Sequence, residues 1–135
     1  MASILAGLQT QILVDVLTTS IKKATFGTTG KTTLMPYAEC YFETAEDVPA
    51  DSNSFTDAPM SMFIVVAGST EDDVQVALQE LIALWKPDAI RAVLRALDCI
   101  NIEPIRRYSP VSDPTDTVKK FYGMAQFQMT VRYTY

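Results

Sequence analysis

The sequence predicts an α+β domain: a mostly antiparallel sheet, amphipathic helices packed on one of its faces, and a long strand at the C-terminal end. Three observations carry this. The stretch Phe121 to Tyr135 alternates, with Phe121, Gly123, Ala125, Phe127, Met129, Val131, Tyr133 and Tyr135 on one side and Tyr122, Met124, Gln126, Gln128, Thr130, Arg132 and Thr134 on the other. The stretch after Gly68 instead repeats Val74, Ala77, Leu78, Leu81, Ile82 and Trp85 at the spacing of a helix face. The overall order is helix, strand, acidic loop, strand, helix, helix, short strand, loop, long strand, which suits antiparallel neighbours with helices on one side. With 48% apolar residues and no internal repeat, residues 1–135 read as a single domain with enough apolar surface for a core.

Taken in order, Ser3 caps a first helix striped by Ile4, Leu8, Ile12 and Val16 together with Leu5, Leu13 and Leu17. Its expected end lies near Ser20 or Lys22, where basic residues suit a helix C-terminus. This opening stretch has no basic leader and carries Gln9, Gln11 and Asp15, so it reads as neither a signal peptide nor a membrane span. Ala24 to Thr33 follows, glycine-punctuated and ending near Gly30-Lys31-Thr32. A phosphate-binding loop needs four residues between its first Gly and the Gly-Lys pair, which would put that Gly at Thr25, and Gly27 sits two residues too close. A glycine-hinged hairpin or surface loop is the expectation here.

Met35 to Glu43 alternates, with Ala38, Cys40 and Phe42 on one face, and Pro36 suits a strand's first position. Residues 44–59 are polar and acidic, an expected flexible loop in which Phe55 and Val48 are the sizeable apolar anchors. Met60 to Ala67 is apolar on both sides, as in a central strand covered on both faces. Ser69 and Thr70 then open the second helix, with Glu71, Asp72 and Asp73 in its first turn. After Pro87, Asp88 caps a third helix with Ile90, Val93, Leu94 and Leu97 inward. Ile100, Ile102 and Ile105 make a short strand before the basic pair Arg106 and Arg107, and Ser109 to Thr117 is a turn-rich loop. The last strand, at about 3.3 Å per residue, would reach roughly 50 Å. It would outrun a domain whose radius of gyration is about 14 Å, so it either bends, at Gly123, or is completed by a neighbouring subunit.

Charge is organised along the chain. Residues 32–85 hold ten acids, Glu46, Asp47, Asp51 and Asp57 among them, and no base, while the flanking segments are net positive and the whole chain carries −5. That middle fits a surface meeting a basic partner, one that repels nucleic acid, or a plain solvated acidic face; it argues against ordinary DNA binding. The chain has no histidine, which removes Ser-His and Cys-His nucleophile pairs and the commonest metal ligand. No acid, base and nucleophile converge in the sequence, so no enzyme activity, cofactor or metal is expected. Cys40 and Cys99 are expected to be reduced thiols in a cytoplasmic product.

The succession of an amphipathic helix, PYAECYF, a long acidic loop, MFIVVA, the helix STEDDVQVALQELIALW and a strand ending MTVRYTY resembles the tail terminator proteins of long-tailed bacteriophages. The likeness rests on order, length and texture over nearly the whole chain. It implies a structural virion protein: a ring, usually a homohexamer, that caps the finished tail tube, ends its polymerisation and meets the head connector or neck protein, with DNA passing through the lumen unbound. Assembly would take place in the host cytoplasm. Ring contacts are expected at Glu46, Asp47, Asp51, Phe55, Asp57, Arg106, Arg107, Arg132, Tyr133 and Tyr135. Alternatives are another neck or tail-completion protein, a small adaptor for a basic partner, or a nucleotide-binding protein built on Gly27 to Thr33.

Overall fold

A computed structural model describes residues 4–28, 34–44, 55–112 and 120–134. Its elements are α1 (Ile4–Val16), β1 (Lys23–Phe26), β2 (Tyr37–Thr44), β3 (Phe55–Gly68), α2 (Glu71–Leu84), α3 (Asp88–Arg95), β4 (Cys99–Ser112) and β5 (Phe121–Thr134). The strands form one five-stranded sheet in the order β1-β2-β3-β5-β4, with β1 parallel to β2 and every other neighbour antiparallel. This is the α+β architecture that the alternation and the helical spacing predict.

All three helices bury their apolar stripes on the same face of the sheet. Leu8, Ile12 and Val16 of α1, Val74, Ala77, Leu78 and Leu81 of α2, and Leu94 of α3 join Ala38, Cys40, Met60, Met62, Ile64, Val66, Ala125, Phe127, Met129 and Val131 in one core. Because side chains alternate along a strand, these are the inward residues of β2, β3 and β5. Burial pushes the Cys40 thiol up to about 12 and the Cys99 thiol up to about 11, so both are core residues rather than nucleophiles.

α2 begins as its sequence predicts: the Thr70 hydroxyl accepts from the Asp73 backbone N–H at 3.1 Å, and three acids occupy the first turn. The carboxylate of Asp15 lies buried between α1 and the end of α2. Gln11 Nε2 donates to one of its oxygens and Trp85 Nε1 to the other, each at 3.0 Å. The indole of Trp85 also meets the Phe127 ring edge-on, with centroids 5.1 Å apart.

Several expectations are corrected. Helix α1 stops at Val16, well before the lysines, and Leu17 beyond it is 47% exposed. Lys23 instead begins β1, the strand nearest the expected glycine hairpin. Gly27 follows with φ of +89°, and its N–H reaches the Cys40 carbonyl at 2.9 Å; residues 29–33 lie outside the described ones. The chain goes on from there to a second strand, the wrong context for a phosphate loop. In α3 the cap position is Pro87, and Asp88 bonds Arg95 instead; Val93 is 45% exposed. The acidic loop is shorter than expected, since β3 already starts at Phe55. Among the described residues, Phe55 to Pro59 run past the end of β2, and Pro59 has no ladder partner on that side. β4 is long, and absorbs both the arginine pair and the beginning of the expected Ser109 to Thr117 loop.

Within the chain, the final strand has a partner on each side. β5 pairs with β3 from Phe121 to Thr134 and with β4 from Phe121 to Val131, all within one chain. Its length is matched because β3 and β4 are equally long, 14 residues each. Gly123 makes room for α2: a Cβ there would stand 2.7 Å from Leu78 Cδ1 and 2.9 Å from Val74 Cγ1.

Candidate assembly interface

The sheet face away from the helices is built by the alternate residues. Register sets them in rows across the strands: Lys23, Tyr37, Ala67, Tyr122 and Val111; then Thr25, Glu39, Val65, Met124 and Tyr108; then Tyr41, Phe63, Gln126 and Arg106; then Glu43, Ser61, Gln128 and Glu103. β3 is therefore covered by helices on one face only among the described residues, and Phe63 and Val65 stay half-buried on the other. Both faces of its centre read as apolar because Phe63, Val65 and Ala67 stand on the outer one, beside Tyr41, Tyr122 and Met124. Lys120 sits over the Tyr37 ring, 5.6 Å from its centroid.

Farther along the same face, Asp57 on β3 stands opposite Arg132 on β5. The guanidinium grips the carboxylate with both arms, Nε to Oδ1 at 2.8 Å and Nη2 to Oδ2 at 3.1 Å. These hydrogen bonds hold the Asp57 carboxyl below the usual carboxylate range. A depressed folded-state value means that the pair's contribution is complete above the ordinary carboxylate range and is lost as pH falls through the folded value. Between pH 5 and pH 2 the Tm of the native protein should accordingly fall more than that of Asp57→Asn, by a modest margin because the pair is half-exposed. Parallel losses in the two proteins would show that the bridge adds nothing.

The expected site residues thus divide. Asp57 and Arg132 are brought together, but with each other. Arg106 and Arg107 stand on β4, opposite Gln126 and Ala125, about 20 Å along β5 from Arg132 at strand rise. Phe55 and Tyr133 lie in the β3-β5 ladder opposite Thr134 and Thr56. Glu46, Asp47, Asp51 and Tyr135 lie outside the described residues. The described acids of the middle do not share one surface either: Glu80 accepts from Ser20, Asp57 serves Arg132, and Glu71 to Asp73 occupy the first turn of α2.

What the sequence missed is the border formed by β4. From Glu103 to Ser112 nearly every residue is exposed, with Ile105 at 52%, Tyr108 at 39% and Val111 at 65%. Arg106 Nη1 donates to the Tyr108 hydroxyl at 3.3 Å on the outer face. Arg107 turns to the helix side, where it shares a shallow notch of about 280 Å³ with Ile82, Pro104, Ile105 and Arg106. Residues two apart on a strand share a face, so this grouping follows once the segment is known to be extended. The available signal was the run Ile100, Ile102 and Tyr108 on either side of Pro104.

No described helix is long and apolar enough to cross a membrane. The chain matches no protein-family model, and no curated protein is detectably similar to it.

Proposed function

We propose that this protein is a structural subunit of a homomeric ring that caps the tail tube of a long-tailed bacteriophage, ends tube growth and joins the tube to the head connector. The reading rests on the order and texture of the elements, which resemble tail terminator proteins, and on one observation of the fold. The sheet has two unlike lateral borders: a short parallel strand beside the acidic β2 on one side, and the long, exposed, basic β4 on the other. Contact between copies through unlike patches is heterologous, and a heterologous contact closes into a ring when its rotation allows. The partners are other copies of the chain, the tube protein and a neck or connector protein, and the ring's place is in the finished virion.

Native mass measurement at micromolar concentration, with and without purified tail tubes, tests this. The expected result is a closed multiple of the 14.9 kDa chain, formed alone or on tube ends. A chain that keeps its monomer mass even with tubes present would overturn the reading.

A further inference from the structure

The two borders of the sheet differ in a way that names the contact between copies. On one side β1 pairs with β2 only from Tyr37 to Cys40, so among the described residues Tyr41 to Thr44 form the outermost strand segment there. Tyr41 is 39% exposed and Glu43 is exposed, and Glu43 belongs to the outer face because it stands opposite Ser61. On the other side, β4 exposes Ile105, Arg106, Arg107 and Tyr108, with Arg106 and Tyr108 on that same outer face.

We propose that the Ile105–Ser109 stretch of β4 in one copy docks against the Tyr41–Thr44 border of a second copy, side by side and with the outer faces on the same side. This contact rests on the ring reading and gives it residues. If the sheet continues across the junction, outer face meets outer face, and Glu43 of one copy approaches Arg106 of the next. Tyr41, two residues away on the same face, then meets the exposed ring of Tyr108.

The occupant is a second copy for two reasons. The signs complement each other within one sequence: β2 holds Glu39 and Glu43 and no base, whereas the β4 stretch presents two adjacent arginines. The symmetric alternative, β4 against β4 paired about this stretch, would bring the arginine pairs of two copies together, and like charges opposed across strands are destabilising. The prolines sharpen the fit. An open sheet edge invites indiscriminate pairing, and proline blunts it by removing the N–H donor. Pro104 and Pro110 flank the stretch, and the β4-β5 register shifts beside both of them. What remains able to pair is a window of about the length of Tyr41–Thr44.

Charge reversal decides the matter. Arg106→Glu with Arg107→Glu in one variant, and Glu43→Arg in another, should each weaken assembly at least about tenfold, the lower end for losing a close interfacial charge pair. The chain carrying all three changes should assemble again, as should an equimolar mixture of the two variants, because each then offers the border that the other lacks. Far-UV circular dichroism confirms that the variants are folded. A native ring that tolerates both reversals, or a folded triple variant that stays monomeric, overturns this contact and leaves the ring reading standing. A native chain that stays at monomer mass with tubes added overturns both.

Discussion

Replacing Trp85 by alanine is expected to remove about 3–5 kcal/mol of folding stability, a large part of the roughly 5–15 kcal/mol that a domain possesses. The side chain is 4% exposed, sits edge-on to Phe127 and is the chain's one tryptophan. Removal leaves a cavity under the β5 core and leaves Asp15 buried with Gln11 as its remaining side-chain donor. Trp85→Phe separates the two effects. It keeps most of the ring contact and loses the indole donor, so it should cost about 1.5–3 kcal/mol, the range for a hydrogen bond to a charged group. In that background Asp15→Ala should cost less than in the native protein, a coupling that a double-mutant cycle measures directly. Urea unfolding followed by circular dichroism is the suitable readout, since the variants lose the fluorescent reporter. Equal cost of Asp15→Ala in both backgrounds would mean that the indole and the carboxylate contribute independently.

The second large effect is expected at Gly123. Its Cα faces the underside of α2 so closely that even a methyl group would press on Leu78 and Val74, both buried. Gly123→Val should therefore cost about 3 kcal/mol, the upper part of the usual range for overpacking, and Gly123→Ala less, because the gain in strand preference partly offsets the clash. The mechanism makes a further demand: Val74→Ala, harmful by itself, should recover part of the loss in Gly123→Ala by making room. Thermal melts of the four proteins show whether it does. Simple addition of the two losses would mean that the strain lies elsewhere, in β5 itself.

How far these features could be read from residues depends on where each lies in the sheet. β5 was legible because every inward position is apolar or glycine, and α2 because its cap, acids and stripe agree. β4 was not. Pro104 and Pro110 look like loop punctuation, and only its place at the sheet's border makes them compatible with a strand. β1 is too short to show a period, and its neighbouring glycines dominate the text. Phe55 to Pro59 was absorbed into the acidic loop for the same reason as β4: a proline and several polar residues on a segment that overhangs its neighbour. The candidate interface shared this fate. Arg106 and Arg107 were visible as a basic pair, but their separation onto opposite faces requires knowing that they are extended. Asp57 and Arg132 are far apart in sequence, and nothing short of the register joins them.

The place of β5 has one more consequence, and it concerns the order of folding. β3 and β4 never touch as neighbours in the sheet; each is joined to the other through β5, which follows both of them in the chain. While the chain is being synthesised, β3 therefore waits with one side unpaired and β4 waits with both, until the residues from Phe121 onward leave the ribosome. Pairing strands so distant in sequence is slow, because the closing loop must be ordered before any contact rewards it. The nascent chain thus passes through an interval in which two 14-residue strands are open to the wrong neighbour. The prolines in β4 then act twice, guarding the strand before β5 arrives as well as restricting what it meets afterwards.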